Sequence, residues 1–530
     1  MIVDPIKQGL AKGWDYIDGT KLTEDLQLDA DVVIIGSGAG GGISAEELAK
    51  SGLKVIIVEM GGLRSSTDFD MQESSAYPNL YQESSARKTK DKAIGIFQGR
   101  TVGGSTTVNW TTSIRTPEPT QQYWRDQFGV KLDGADALLP YFEKAEKRLN
   151  IHQWQVPPNA NNAALQQGCK KLGWQSTIVK RNVNGCANLG YCGMGCPINA
   201  KQSMLVTTIP GAMDNKAKLI SNLNVQRLRW ANDKVVSVEA YTTDEHFQRR
   251  NSVKVTLTAR HYILSAGAIG SPAILKRSKV PDPSSRLGKF TYLHPVVISG
   301  ALMPEPVNGH SGAPQSVYSD EFVFKDGVDG RAGYKLEVPP VHPILIGTKL
   351  IGYGEAHSAL MSQFNHFQVM IALMRDGFHP QSVGGSVELS SAGDPILDYP
   401  ISEYIWEGIR RAHLSMAELQ FAVGAKSVFP IHKNAGQYTS YKQAEAAINQ
   451  LPFENYLSSV VSAHVMGGCN MGEDTSSSVV NSYGEHHQLE NLSIFDGSVL
   501  PTSLGANPQL TIYGLTYRNV ERLLQKLQPT

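Results

Sequence analysis

The sequence lacks the features that mark several large classes of protein. It has five cysteines in 530 residues, a sparse and odd number that argues against a disulfide framework and favours a reducing compartment or a dedicated site. Lys plus Arg and Asp plus Glu both number 49, so the charge gives no indication of binding to nucleic acid or to an anionic membrane. No apolar run reaches the roughly 18 residues that a membrane-spanning helix needs, so none is predicted.

The composition and length indicate a globular protein with more than one lobe. Hydrophobic residues make up 41% of the chain and charged residues 18%. With 530 residues the chain is too long for one simple core, so two or three packed lobes are predicted. The first stretch, MIVDPIKQGLAKGWDYIDG, lacks the apolar core of a secretory signal. We therefore expect a cytoplasmic location, with a peripheral membrane position or export together with a partner subunit as alternatives.

Residues 31–62 have the pattern of a nucleotide-binding strand–helix–strand unit. Their sequence is DVVIIGSGAGGGISAEELAKSGLKVIIVEMGG. In order, the parts are a strand at 32–35, the G-x-G-x-x-G glycines Gly36, Gly38 and Gly41, a helix at 43–50, a strand at 54–58 and the acid Glu59. Because all these parts stand in register, the segment predicts a dinucleotide site.

Each part of this unit has a physical function. Gly36 permits the tight turn, Gly38 lets the backbone approach a pyrophosphate, and Gly41 lets helix and strand pack closely. The free N–H groups and the positive dipole end at the helix N-terminus favour phosphate. Glu59 can accept hydrogen bonds from ribose hydroxyls and would repel a 2′-phosphate, which disfavours NADP. The pattern alone does not separate NAD from FAD.

Four further segments carry a resemblance that covers nearly the whole chain in order. They are GRTVGGSTTVNW (99–110), HYILSAGAIGSPAILKRS (261–278), SAHVMGGCNMG (462–472) and IFDGSVLPTSLGANPQLTIYGLTYRNVERL (494–523). With the glycine fingerprint they resemble the glucose–methanol–choline (GMC) family of FAD-dependent oxidoreductases. The triplet Arg115–Pro117, the CGMGCP loop and the form of SAHVMGGCNMG resemble the long-chain fatty alcohol oxidases and dehydrogenases. The C-terminal segment also resembles that of the flavin sterol oxidases.

The resemblance implies an α/β protein with the GMC oxidoreductase fold. That fold has a discontinuous, Rossmann-like FAD-binding domain and an α+β substrate-binding domain with a large sheet. The expected divisions are 1–115, 200–295 and 462–530 for the FAD-binding domain, 116–199 for a connecting or lid region with the cysteine loop, and 296–461 for the substrate-binding domain. Apolar stretches in the last division, at 342–354 and 367–377, fit either core or a tunnel for an alkyl chain or sterol.

FAD is the cofactor that the resemblance implies, and positions along the chain match its binding residues. Gly36, Gly38, Gly41 and Glu59 would hold the ADP half. The other matching positions are Gly103, Gly104, Ser105 and Asn109 against the flavin, Val225 at the adenine, Ala266 and Gly267 near the nucleotide, Asp496 and Gly497 at the C-terminal flavin contact, and Pro508 at the start of a helix beside the flavin.

His464 and Asn507 match the catalytic positions of the family. His464 lies in H-x-x-G-x-x-x-M-G and matches the general base, which takes the hydroxyl proton while a hydride passes to flavin N5. Imidazole suits this function because its pKa lies near the operating pH. Asn507 would act as its partner. Asn507 before Pro508 is also a good N-cap followed by proline at the first helical position.

The reaction implied by the resemblance is the FAD-dependent oxidation of an apolar alcohol, with a long-chain primary alcohol giving the aldehyde. The alternatives are a sterol or sugar alcohol dehydrogenase of the same family, and a flavin-binding relative that no longer catalyses. The expected partners are the alcohol and an electron acceptor, which is oxygen, a quinone or a redox partner subunit.

The loop GCANLGYCGMGCP (185–197) holds three of the five cysteines, Cys186, Cys192 and Cys196. A closed zinc site needs four ligands, and no fourth lies nearby in sequence. A disulfide between Cys192 and Cys196 needs oxidising surroundings, and three thiolates would suit a 3Fe–4S cluster. The resemblance adds that multi-subunit FAD sugar dehydrogenases hold such a cluster on a triplet with this spacing, whereas fatty alcohol enzymes have similar loops with no cluster implied. Both alternatives stay open.

Overall fold

The computed structural model of the chain describes residues 2–134, 136–244 and 253–528. The strands in these ranges are β1 (Tyr16–Asp18), β2 (Leu26–Ile35), β3 (Val55–Val58), β4 (Ile94–Ile96), β5 (Ile151–Gln153), β6 (Thr177–Ile178), β7 (Lys180–Asn182), β8 (Lys218–Ser221), β9 (Leu223–Ala231), β10 (Lys234–Thr242), β11 (Lys254–Leu264), β12 (Lys289–Leu293), β13 (Val296–Leu302), β14 (Val317–Phe322), β15 (Tyr334–Glu337), β16 (Phe367–Met374), β17 (Gly385–Leu389), β18 (Pro395–Asp398), β19 (Ser427–Pro430), β20 (Val460–Ser462), β21 (Val465–Gly467) and β22 (Leu492–Ile494).

The helices in these ranges are α1 (Pro5–Ala11), α2 (Ala39–Lys50), α3 (Glu73–Leu80), α4 (Glu118–Phe128), α5 (Leu139–Arg148), α6 (Ala160–Leu172), α7 (Thr208–Asp214), α8 (Gly267–Ser278), α9 (Pro343–Gly347), α10 (Gly354–Met361), α11 (Glu403–Ala422), α12 (Tyr441–Gln450) and α13 (Gln509–Leu527). None of these helices is long and apolar enough to cross a membrane.

The first large sheet is built from three separate parts of the chain. Its strand order is β1-β8-β3-β2-β11-β10-β9, and β22 also pairs with β11. The pairs β2–β3, β3–β8 and β2–β11 are parallel. All of β3 and the last four residues of β2 are buried, as parallel strands covered on both faces require. Parallel strands of this kind end at one edge of the sheet, where a ligand site forms.

Helix α2 follows β2 as predicted but begins four residues earlier than residue 43. Gly38 is its N-cap, and the chain between Ile35 and Ala39 contains only the turn that carries the first two fingerprint glycines. The helix begins earlier because its glycine run is buried against neighbouring elements. This packing stabilises the helix even though glycine has a low intrinsic helix propensity. The helix N-terminus therefore points at the edge where β2 and β3 end.

The second large sheet has the order β4-β20-β13-β16-β15-β14-β6, with β19 paired to β13. Its central strands β13 and β16 are buried along their whole length. One face packs against helix α11, and the other carries an apolar layer that α9 and α10 cover. A third sheet has the order β18-β17-β12-β21, and its strand β21 begins directly after His464. The domain borders expected from the sequence stay a prediction.

Candidate active site

A cavity of about 860 Å³ is lined by residues from both large sheets. All the residues predicted for cofactor binding or catalysis line it except Gly41 and Gly103, which lie behind its wall. The structure thus brings together positions that are spread over more than 450 residues of sequence. The lining includes both catalytic candidates, His464 and Asn507.

The part of the wall beside α2 is formed by bare backbone. Gly36 has a φ of +102°, and a Cβ there would lie 2.2 Å from the carbonyl oxygen of Ser265. Gly104 has a φ of +53°, and its Cβ would lie 2.8 Å from the Cα of Gly38. Side chains at these positions would collide with backbone, so the sequence needs glycine at both. A backbone surface at a helix N-terminus fits the pyrophosphate of a dinucleotide.

Glu59 lies at the end of β3 with its carboxylate buried. One oxygen accepts from the backbone N (3.0 Å) and Oγ (2.6 Å) of Ser37, and the other accepts from the backbone N of Gly61 (2.8 Å). Burial raises the pKa of Glu59 above its ordinary value. A carboxylate has about four acceptor positions, so the group keeps capacity for a ribose hydroxyl.

Asp496 fastens the C-terminal segment to the start of α8. Its Oδ2 accepts from the backbone N of Gly267 (2.9 Å) and the Oγ of Ser271 (2.6 Å). Its Oδ1 accepts from the backbone N (2.8 Å) and the Oγ (2.5 Å) of Ser498. Burial raises the pKa of Asp496. Four contacts with the protein make its carboxylate a structural anchor that holds Gly267 and Gly497 on the cavity wall.

His464 contacts a second histidine that the sequence did not indicate. Its Nδ1 lies 2.9 Å from Nδ1 of His294, and the two rings meet edge to face with centroids 5.1 Å apart. His294 is 2% exposed, and its Nε2 accepts from the backbone N of Leu504 and of Gly505 at 3.3 Å each. Burial, with the positive charge of Lys335, lowers the pKa of His464 to about 4. The imidazole is therefore neutral at pH 7.

Asn507 is not the helix cap that its sequence predicted. Helix α13 begins one residue later, with Pro508 at the cap position and no side-chain cap hydrogen bond. The amide of Asn507 instead donates from Nδ2 to Oε2 of Glu337 at 3.5 Å, and its Oδ1 is buried without a protein partner. The amide of Asn507 thus contacts Glu337 of the second sheet and makes no cap hydrogen bond to the first turn of α13.

Glu337 and Gln315 form a buried polar group beneath Asn507. Glu337 accepts a hydrogen bond from Nε2 of Gln315, whose Oε1 accepts from Oγ1 of Thr112 at 2.7 Å. Burial raises the pKa of Glu337 to about 7, although the nearby charge of Lys335 lowers it. Sequence reasoning missed this group. The available signal was the strand YKLE, where Lys335 and Glu337 alternate within an otherwise apolar run.

The cysteine loop lies against the cavity but does not assemble a metal site. Among the residues that the structure describes, no group of three or more His, Cys, Asp or Glu side chains is arranged to hold a metal ion. Cys192 accepts a hydrogen bond on its sulfur from Nη2 of Arg181 at 3.4 Å, whereas Cys186 packs against a small apolar cluster that includes Trp154. The predicted ligand set of Cys186, Cys192 and Cys196 is therefore not supported by the geometry.

Lys201 joins this loop to the predicted flavin loop. Its buried ammonium donates to the carbonyl oxygens of Thr107, Asn109 (3.0 Å) and Cys192 (2.7 Å). Burial lowers the pKa of Lys201 to about 8. The carbonyl oxygen of Gly193 accepts from the hydroxyl of Tyr81 at 2.7 Å. The loop thus has a packing function at the cavity wall.

The wall from the second sheet is apolar. It is formed by side chains of β13, β16 and α9, namely Val296, Ile298, Leu345, Ile346, Ile371 and Leu373. These side chains continue into the apolar layer under α9 and α10. A cavity with a polar end and an apolar wall suits a ligand that has one polar end and an apolar body.

Models of a known family match most of the chain. Two models described as GMC oxidoreductase match residues 77–296 and 380–516, and one described as FAD binding domain matches residues 31–77. The chain is 29% identical to the GMC-type oxidoreductase y4nJ of Sinorhizobium fredii, over 96% of this chain and 97% of that protein. It is 26% identical to the long-chain-alcohol oxidase FAO4A of Arabidopsis thaliana, over 94% of this chain and 70% of the relative.

Solved structures share the fold. A formate oxidase variant from Aspergillus oryzae RIB40 has a TM-score of 0.70 at 15% identity, covering 96% of this chain and all of that one. Pyridoxine 4-oxidase from Mesorbium loti has a TM-score of 0.64 at 17% identity, covering 93% and 98%. At these identities the likeness concerns the fold, and it confirms the predicted α/β class with an FAD-binding domain. The backbone cradle and the size of the cavity fit FAD.

Proposed function

Since the chain belongs to the GMC oxidoreductase family and is an FAD-dependent oxidoreductase, we propose that it oxidises an apolar, long-chain primary alcohol to the aldehyde. One observation carries this proposal: His464 and Asn507 line the same cavity as an apolar wall of aliphatic side chains. The relatives named long-chain-alcohol oxidases support the substrate class. FAD, when bound, supplies the acceptor for the hydride.

The cofactor would be held by the residues that line the glycine-rich half of the cavity. Gly36, Gly38 and Gly104 leave backbone free for the phosphates, and Glu59 has acceptor capacity for a hydroxyl. Asp496 fixes the segment that presents Gly497. These residues bind and orient; the proton chemistry belongs to the other half.

His464 is proposed as the general base. Its low pKa keeps the ring neutral, so that a lone pair is available to take the hydroxyl proton. Because Nδ1 faces His294, the accepting nitrogen would be Nε2, and the hydrogen between the two rings must then belong to His464. The backbone N–H groups of Leu504 and Gly505 donate to Nε2 of His294 at 3.3 Å each, which favours the tautomer in which His294 donates from Nδ1. Proton uptake at Nε2 of His464 therefore requires His294 to change tautomer and to release these two long hydrogen bonds.

Asn507 is proposed to orient the alcohol oxygen. Its Nδ2 is directed to Glu337, so its unpartnered Oδ1 is the atom free to accept from the hydroxyl group. A buried acceptor without a partner costs about 1–3 kcal/mol, and a bound hydroxyl would relieve that cost. The same argument favours binding of a substrate that carries one hydroxyl at the end of an apolar body.

The test is a panel of primary alcohols from hexanol to hexadecanol, with cholesterol and glucose as the competing substrate classes. The readouts are aldehyde formation and bleaching of the bound flavin with oxygen excluded, so the natural acceptor need not be known. We expect the second-order rate constant for flavin reduction to rise along the alcohol series and to exceed those for cholesterol and glucose. A preference for glucose or cholesterol would contradict the proposal.

A further inference from the structure

A narrow apolar void adjoins the large cavity beneath α9. It measures about 10 Å³ and shares Ile298, Ile346 and Lys349 with the lining of the large cavity. A void of this size is at the lower limit for one water molecule, and its walls are predominantly apolar. Ile298 of β13 and Ile346 of α9 therefore lie between the two spaces, and we call the place where they stand the neck.

The floor of this path is a ladder of facing side chains. On β13 and β16 the facing pairs are Val296 with Leu373, Ile298 with Ile371, Gly300 with Val369, and Leu302 with Phe367. Alternate residues of a strand share one face, so these pairs form one continuous apolar trough. From Val296 to Gly300 the trough extends about 14 Å, since an antiparallel strand rises ~3.4 Å per residue. It begins two residues after His294.

The trough ends at Phe429. A Cβ on Gly300 would lie 2.3 Å from the ring of Phe429, so the missing side chain of Gly300 leaves the place that this ring fills. Phe429 packs edge to face on Phe367 with centroids 5.6 Å apart, and both rings line or border the void. One aromatic side chain therefore closes a path that is otherwise bounded by aliphatic groups.

Helix α9 covers the path, and its first residues are bonded to α3. The carboxylate of Glu73 accepts from the backbone N of Ile344 and of Leu345, both at 2.7 Å, at the start of α9. Ile346 points inward and is 4% exposed. Because α9 is held at its N-terminal end, the width of the path is set by the side chains of β13 and β16 beneath this helix.

We propose that this trough holds the alkyl chain of the substrate and that Phe429 sets the longest chain accepted. The inference rests on the proposed function, and it deepens it by naming a specificity-determining residue. The hydroxyl end lies at His464 and Asn507, and the methyl end reaches the neck at Ile298 and Ile346. Chains that are longer must displace the ring of Phe429.

The experiment compares kcat/KM for decanol and hexadecanol in the FAD-loaded wild type, Phe429→Leu and Ile298→Phe. Phe429→Leu shortens the closing group, and at about fourfold per buried methylene we expect the hexadecanol-to-decanol ratio to rise ~10-fold or more. Ile298→Phe narrows the neck and should lower the same ratio. Phe453→Leu is the matched control, because Phe453 is similarly buried in another part of the second sheet's core and lies outside the path.

The outcomes separate the two proposals. If the wild type oxidises the alcohols but both variants keep its ratio, the trough is not the substrate path and the inference is overturned. An equal change of the hexadecanol-to-decanol ratio in Phe453→Leu and in Phe429→Leu would also overturn it, because a generally less tightly packed core would then explain the effect. If the wild type oxidises no alcohol of the panel, the proposed function itself fails. Opposite shifts in the two path variants support the inference.

Discussion

The two halves of the cavity are built by different means. The nucleotide half presents backbone, with glycines at closely spaced positions and acids whose oxygens accept from neighbouring N–H and O–H groups. The substrate half presents side chains from β13, β16 and α9, and its polar group comes from strands that are far apart in sequence. A site built from backbone requires glycines at short, fixed spacings that can be recognised in a sequence. A wall built from side chains of distant strands leaves no such spacing.

The largest expected effect comes from the backbone half. Gly36→Ala places a Cβ 2.2 Å from the Ser265 carbonyl, and we expect the protein to lose bound FAD and with it all activity. Gly52→Ala is a matched control, because Gly52 also has a positive φ of +86° but has nothing within 4 Å of the added Cβ. Flavin absorbance per polypeptide is the measurement. Equal FAD content in both variants would contradict the claim that FAD binding needs the bare backbone at Gly36.

His464→Ala tests the chemical end of the side-chain half. Removing a general base lowers turnover by about 10²–10⁴-fold, while FAD content should not change. The control position is the half-buried His152 of β5, whose Nδ1 lies 2.9 Å from the carbonyl oxygen of Asn150; it is changed to alanine in the same way. The assignment fails if His464→Ala retains wild-type kcat with bound flavin.

His294→Ala tests a positioning residue. Loss of an outer partner of this kind costs about 10–100-fold in activity, and we expect the loss mainly in kcat, since His294 is buried behind His464. His294→Asn retains a group able to bond Nδ1 of His464 and should recover part of the rate. A change in KM alone would show that the histidine pair acts on binding rather than on the reacting proton.

Glu337→Gln tests the buried carboxyl group. Its folded pKa of about 7 lies above that of an unfolded glutamate, so the folded state binds the proton more tightly. Stability from this group is present below the unfolded pKa and is lost as the pH rises through about 7. The variant should therefore lose less stability than the wild type between about pH 5 and about pH 8, as measured by denaturant unfolding. Parallel pH profiles would contradict the assigned pKa.

The smallest effect is expected in the cysteine loop. Replacing Cys186, Cys192 and Cys196 by serine should leave FAD content unchanged and activity within about threefold, because the sulfur of Cys192 contributes one hydrogen bond worth ~1 kcal/mol. Iron and sulfide analysis of the wild type accompanies this test. Stoichiometric iron that disappears in the variant would restore the 3Fe–4S alternative.

The difference between the halves also explains what could be predicted from the sequence. Gly36, Glu59 and Asp496 stand in motifs whose spacing reflects turns and strand ends, so their approach to one cavity was foreseeable. His294 lies in the short link between β12 and β13, and Glu337 ends β15. Only strand pairing and packing bring them to His464 and Asn507. The cap predicted at Asn507 failed for the same reason, because a tertiary contact replaced a local one.

The account is tested most directly by mixing the FAD-loaded protein with dodecanol in the absence of oxygen. Dodecanol carries one hydroxyl on an apolar chain and so matches both halves of the cavity. We predict that the visible flavin absorbance bleaches and that one aldehyde forms per flavin. If dodecanol leaves the flavin oxidised while a chemical reductant bleaches it, the central claim of alcohol oxidation is contradicted.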